Sequence, residues 1–510
     1  MKRLICLLLC LCMGFALWGC DSQEGYIPTG DALVYDEDYT GPTATRPQDD
    51  SEQSLTLTYY VDRSLNPLLC TDYTNRALFS LMYQSLFSVD RDYVIQPQLC
   101  KSWRRSEDMR EYVFYLENAT FGDGSALTAQ DVVASLEAAE DSDYYGGRFT
   151  HVDDIYVSDD GGVAVDLDIP CENLPLLLDI PVLKASQVAL DTPVGTGPYV
   201  LEGGVLRRNT NWWCKAELPV RASAIQLIPA SSPTGIRDDF EFSDLSLVCA
   251  DPGSDKYADY RCDYELWDIE NNIFVYLGCN LESQVFSNPA VRSALAVAVD
   301  RDSVAAEFYR GFARSASLPA SPLSPYYSNV LAEKYAYDGG AALTQAVTDA
   351  SLNGAVVQLL VNKDDTLRLR VARTIAKALK ETGLDVKTVE LSSGKYADAL
   401  DDGEYDLYLG QTKLSANMDL SAFFASGGDL NYGDISDVAL NTLCTEALAN
   451  YGNYYTLHQK VMDDGRIVPI LFRSYAVYAT RGLLTGLTPA RDNVFYYSMN
   501  KTMDGTQIRE

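Results

Sequence analysis

The stretch AVVQLLVNKDDTLRLRVARTIAKALKETGLDVKTVELSSGKYADALDDGEYDLYLGQ, residues 355–411, decides the fold. AVVQLLV (355–361), LDVKTVEL (384–391) and YDLYLGQ (405–411) have the residue types of strands. Helical spacing fills 365–382 and a shorter piece near 394–401. Strand and helix alternate β-α-β-α-β, which implies a parallel sheet with right-handed crossovers. Residues near 280–475 are therefore expected to form one α/β lobe.

Outward from there, IFVYLGCNL (273–281) starts another strand, and NPAVRSALAVAVDRDSVAAEFY (288–309) predicts two consecutive helices, the second capped by Asp300. Arg292 and Arg301, in that stretch, are expected to anchor loops. Towards the C-terminus, IVPILFRSYAVYATR (467–481) predicts the final strands, followed by a short tail with VFYYS (494–498). Towards the N-terminus, LTLTYYV (55–61) is an alternating strand before the turn Ser64-Leu65-Asn66-Pro67. Residues 73–88 have helical spacing through Leu78, Leu81, Met82, Ser85 and Leu86. YVFYL (112–116) predicts a strand, and FGDGSALTAQDVVASLEAA (121–139) a turn feeding a helix with Thr128 as N-cap and Asp131 at its third position. Short proline-rich strands follow over 163–201, ending in the Gly/Pro corner VGTGPYVLEGG.

Composition narrows the function. The 510 residues suggest roughly three folding units at ~150 residues each, and 47% hydrophobic residues supply sizeable cores. The net charge of −32 opposes nucleic-acid binding, which draws on clustered Lys and Arg. Two histidines, His151 and His458, lie far apart without a His/Cys cluster, which excludes HExxH zinc hydrolases and leaves no metal site to name. VGTGPY opens no helix and lacks a Lys-Ser/Thr, so it is expected to be a structural corner and no cofactor is implied. No G-x-S-x-G elbow occurs, and no carboxylate pair stands out among so many acids. No catalytic residue is assigned.

The N-terminus carries an address. Lys2 and Arg3 precede LICLLLCLCMGFALW, which is too short to span a membrane as an ordinary helix and suits a signal peptide over residues 1–19. Leu17-Trp18-Gly19-Cys20 resembles a bacterial lipobox, so Cys20 is expected to carry lipid and hold the protein on the outer face of the bacterial cell membrane. The acidic, proline-containing stretch 20–53 is expected to be a disordered tether. Eight of the twelve cysteines lie beyond Cys20 with scattered spacing and no CxxC, which favours buried free thiols over a disulfide framework.

Four segments, in order, carry a family resemblance: SLNPLL (64–69) continuing through LMYQSLFSVDRDYVIQPQLCKSW (81–103), YVFYLENATFGDGSALTAQDVVASLE (112–137), PVGTGPYVL (193–201), and FVYLGCNLESQVFSNPAVRSALAVAVDRDSV (274–304). With these the body, about 54–480, resembles the bacterial extracellular solute-binding proteins of family 5, the peptide/nickel-type receptors of ABC importers. The resemblance implies an α/β, two-lobed, type II periplasmic-binding-protein-like fold, hinge-connected, with the ligand cleft between lobes. It places the first lobe at 54–270 and 480–510, with an extra subdomain near 76–190, and the second lobe at 271–479. Two crossings are expected near 268–276 and 470–482.

The implied function is a non-catalytic receptor lipoprotein that captures a peptide or other small polar solute by hinge closure and delivers it to ABC permease subunits, acting as a monomer without a cofactor. A sensory partner of a membrane kinase and a secreted hydrolase are the alternatives. Peptide-binding members of the family pair the α-ammonium group with an aspartate that falls here at about Ala416, so a standard peptide N-terminus is not expected. A low histidine count and the absence of an identifiable Arg cluster argue against nickel-type binding. The expected ligand-binding residues are Lys413, Ser415, Asn417 and Asp419 from the loop after strand 405–411, facing Tyr59, Tyr60 and Asn66 of the first lobe.

Overall fold

The computed structural model describes residues 55–496, apart from 217, 219, 221, 255, 434–436 and 486, together with the short strand Gln507–Ile508. The expected leader 1–19, Cys20 and the rest of the tether to residue 53 lie outside the described residues. Residues 355–411 fold in the expected order: strand Val356–Asn362, helix Thr366–Lys380, strand Asp385–Leu391, helix Ser393–Asp401 and strand Leu407–Lys413. The longer helix is held by its pattern. Leu367, Val371, Ala372, Ile375, Ala376 and Leu379 fall on one face and are buried, while the Asp365 carboxylate accepts from the Arg368 amide at its start.

Strand Val356–Asn362 pairs in parallel with both Asp385–Leu391 and Leu407–Lys413. The expectation of a parallel sheet holds only for these three. Leu407–Lys413 runs antiparallel to the 16-residue strand Tyr264–Cys279, which runs antiparallel to the 14-residue strand Ile467–Thr480, and Leu247–Ala250 follows at the far edge. The sheet is therefore mixed, parallel at the edge built by residues 356–413 and antiparallel through its two long strands.

The same two strands serve two hydrophobic cores. Ile269, Val477 and Ala479 belong to one, packed with residues of 55–220 and with Leu484, Leu487, Val494 and Phe495. Val275, Leu277, Cys279, Val468, Ile470 and Leu471 belong to the other, built on the α/β segment. Between these halves the ladder slips from Glu270 to Phe274, and Asn272 takes a left-handed φ of 57°.

The first core is covered by two four-stranded sheets. One orders Leu55–Tyr59, Ala224–Pro229, Val205–Arg208 and Tyr199–Glu202, and the other Cys100–Arg105, Glu111–Leu116, Val163–Leu167 and Val152–Val157. Helix Ala129–Glu140 packs on the latter and opens with the expected capping box between Thr128 and Asp131. The helix expected over 73–88 is instead two single turns, Tyr73–Arg76 and Phe79–Met82. Tertiary pairing overrides propensity here, because the carbonyls of Met82, Gln84, Ser85 and Leu86 accept from Gly197, Val182, Leu99 and Gln98.

The glycine corner explains its composition: a Cβ on Gly195 would lie 2.1 Å from the Met82 oxygen and one on Gly197 2.4 Å from the Met82 carbonyl carbon. Arg292 and Arg301 hold loops, donating to the carbonyls of Phe286 and Asp464 and of Pro469 and Tyr335 respectively. Cys70, Cys100, Cys171, Cys279 and Cys444 are buried free thiols, and Cys249 and Cys262 are free and partly exposed.

Candidate functional site

Strand Leu407–Lys413 delivers Lys413 at its carboxyl end, beside the ladder slip. There the Lys413 ammonium donates to both carboxylate oxygens of Asp492, at 2.8 and 2.7 Å, and to the Tyr144 hydroxyl at 2.6 Å. Asp492 and Tyr144 both come from parts of the chain built on the first core. The lysine and aspartate side chains are 27% and 18% exposed.

Burial draws Lys413 down to about 8 while Asp492 works against that shift. Burial alone would raise the Asp492 carboxyl, but Lys413 and Arg76 hold it well below the ordinary carboxylate range. Arg76 lies 3.2 Å over the Tyr144 ring and donates to the Tyr145 hydroxyl at 2.7 Å. Arg148 pairs with Asp179, which Arg491 approaches at 3.6 Å. A cationic cluster thus exists, contrary to the sequence reading. Its members come from positions 76, 148, 413 and 491, and no local spacing announces it.

A second contact joins the same parts through His151 and Asp419. His151 Nε2 lies 3.2 Å from an Asp419 oxygen, and Nδ1 lies 3.3 Å from Asp168. The other Asp419 oxygen accepts from the Ser421 amide and hydroxyl at 2.9 and 2.6 Å. Burial would lower the His151 pKa, yet Asp419 and Asp168 raise it above the ordinary histidine value. Asp419 is lowered: burial opposes this, and His151 and Ser421 cause it. Close by, the Glu172 amide donates to the Leu448 carbonyl and the Glu172 carboxylate accepts from the Tyr451 amide.

Of the seven expected residues, Lys413 and Asp419 are brought against groups of the first core. Ser415 donates to the Asn417 side chain at 2.6 Å, and Asn417 is buried with its carbonyl held by the Tyr454 hydroxyl. These two shape the loop. Ala416, where the family aspartate would fall, is buried in an apolar cluster with Leu414 and Met418.

Tyr60 lies in an apolar cluster with Ile236, Phe240 and Tyr478, and Asn66 uses its side-chain amide on Val188 and Leu190 carbonyls and the Leu68 amide. Tyr59 is half-buried against the first core. The groups that meet the 413–419 loop are instead Tyr144, His151 and Asp492. The clustered Tyr-Tyr-Gly-Gly-Arg of 144–148 was a usable signal for the first. His458, by contrast, is fully buried with both ring nitrogens unpartnered and is lowered to about 3 by burial.

Comparison with known proteins bears directly on this cleft-like arrangement of two cores sharing two strands. The family model described as bacterial extracellular solute-binding proteins, family 5 Middle, matches residues 94–432. The chain belongs to that family. This family 5 protein is 23% identical over 361 residues to the oligopeptide-binding protein AppA of Bacillus subtilis (strain 168), covering 63% of this chain and 66% of AppA. It is 25% identical over 354 residues to the glutathione-binding protein GsiB of Pectobacterium atrosepticum, covering 66% of this chain and 68% of GsiB. The chain thus spans about two thirds of the length of these curated relatives. Among solved structures, the ABC transporter substrate-binding protein CtaP from Listeria monocytogenes superimposes with a TM-score of 0.72 at 17% identity, over 90% of this chain and 99% of CtaP. The fold is the two-lobed fold of solute-binding proteins.

Proposed function

We propose that this family 5 protein is the receptor of an ABC importer, which captures a peptide or another small polar solute between its lobes and presents it to permease subunits. The observation that carries the reading is the convergence of Lys413, from the α/β side, with Tyr144, Arg76 and Asp492 around the crossing strands. Groups that touch a solute from both sides control closure as well as affinity, because a ligand shifts a two-state equilibrium only by its preference for one state. The first lobe is assigned to 54–270 and 480–510, with a subdomain near 76–190, and the second to 271–479. The sharing of Tyr264–Cys279 and Ile467–Thr480 between two cores supports a hinge at the 270–274 slip.

Within the site, Lys413 and Asp419 act from the second lobe. Ser415 and Asn417 hold their loop, and Tyr59, Tyr60 and Asn66 brace the first-lobe wall from behind. Cys20 carries the lipid that keeps this monomer on the outer face of the membrane. The named relatives are binding proteins, and neither the hydrolase nor the kinase-partner alternative gains support from them.

The test is incubation with a library of di- to pentapeptides and glutathione, followed by mass spectrometry of what the protein retains. A solute retained with a thermal shift and released unmodified is expected. Saturable conversion of any of these compounds would contradict the receptor reading.

A further inference from the structure

Arg76, Arg148 and Lys413 stand around only two carboxylates, Asp179 and Asp492. Arg148 is matched by Asp179, and Lys413 by both oxygens of Asp492. Arg491 touches Asp179 at 3.6 Å but also lies over Tyr93, whose hydroxyl donates to Glu270. Arg76 is different. It is 5% exposed, and its terminal nitrogens donate to the carbonyls of Pro67 and Cys70 and to the Tyr145 hydroxyl. No described carboxylate makes an ion pair with it, and its Nε has no partner. A buried guanidinium in that position has Asp492 only at longer range, shared with Lys413, and no carboxylate in contact to offset its desolvation.

Beside it lies a cavity of about 60 Å³ lined by Arg76, Ser80, Tyr145, Asp179, Asp492 and Asn493, among others. Ser80 Oγ and Asn493 Oδ1 are likewise buried there without partners. The two acids on the wall are already neutralised by Arg148 and Lys413, so the unmatched charge facing this space is positive. The Ser80 hydroxyl and the Asn493 amide can each donate after rotation or a flip of the amide. The space suits one compact polar group rather than a whole solute.

We propose that this cavity is a subsite for an acid group of the solute, a carboxylate that docks on Arg76 and Ser80 while the Lys413–Asp492 bridge closes beside it. The inference rests on the receptor reading and adds the charge of the solute to it. Arg76 is the specificity-determining residue, since a guanidinium presents planar, paired donors to a carboxylate. An amide in the same place would leave the cation unmatched.

The test uses tripeptides in four forms that differ only in Glu or Gln at a side chain and in acid or amide at the C-terminus. Wild-type protein is expected to retain an acid form at least tenfold better than the all-amide form. Ser80→Asp places a carboxylate of the protein's own next to Arg76, so it is expected to fold with an unchanged or higher melting temperature and to lose the acid preference. Arg76→Lys is expected to weaken the acid form by at least tenfold and the all-amide form by less than threefold.

Equal retention of acid and all-amide forms overturns this inference and leaves the receptor reading standing, as does a Ser80→Asp protein that still prefers acids. A Ser80→Asp protein that gains affinity for the all-amide form, with its free amine, shows that the cavity takes an ammonium group and also overturns it. Retention of no form by wild-type protein overturns the inference together with the peptide reading.

Discussion

Two of the ion pairs that join the sides of this molecule differ in kind. The inner one, Lys413 with Asp492, sits at the end of a strand, uses both carboxylate oxygens and is backed by Tyr144 and Arg76. The outer one, His151 with Asp419, depends on a ring whose pKa is raised above the ordinary histidine value and which is shared with Asp168, whose side chain is 57% exposed. The inner pair fixes where charge stands in the cleft. The outer pair makes the strength of the contact depend on pH.

The largest effect is expected at the inner pair. Lys413→Met leaves Asp492 largely buried without its main counter-ion, and breaking a buried pair of this kind costs about 3–5 kcal/mol. Urea unfolding should show that loss, and the double variant with Asp492→Leu should recover a substantial part of it. A loss below about 1 kcal/mol would make the inner pair no different from a surface bridge.

Next comes Asp419→Ala, which removes the acceptor for His151 and for the Ser421 amide and hydroxyl and should cost about 1–3 kcal/mol. If Asp419 also holds the lobes together around solute, affinity should fall with stability. Unchanged affinity would confine it to the Ser421 turn.

The smallest effect is His151→Gln, and its sign depends on pH. The folded-state pKa of His151 is raised, so its contribution is complete below the ordinary histidine value of 6.5 and is lost as pH rises through the raised value. Asp419 is lowered, so its own contribution is present above 3.8 and is lost only as pH falls towards its depressed value. The wild-type melting temperature should therefore decline relative to His151→Gln as pH rises above 6.5. Parallel profiles for the two proteins would remove the titratable character of the outer pair.

The comparison also shows what a sequence can and cannot reveal. Repeating local rules made the α/β segment legible: the apolar stripe of Thr366–Lys380, the Thr128–Asp131 box and the Gly195/Gly197 corner each depend on neighbours within a few residues or on one close approach. That Lys413 and Asp419 face the other core was legible from their place in the loop after a parallel strand. Their partners were not. Tyr144 and Asp492 lie 269 and 79 residues away from Lys413, and His151 lies 268 away from Asp419.

Tyr60 and Asn66 misled for a physical reason. An aromatic after a strand and an Asn before Pro also satisfy an apolar cluster and a turn, and here they do. The 73–88 helix failed because four backbone carbonyls find partners outside the segment, at Gly197, Val182, Leu99 and Gln98, which periodicity cannot register.

The central claim is that solute binds between two lobes and draws them together. Small-angle X-ray scattering of the purified protein, titrated with the peptide it retains best, tests this most directly. The account predicts a radius of gyration that falls saturably along the binding isotherm, with the fall reduced in Lys413→Met. Saturable binding with an unchanged radius would contradict closure.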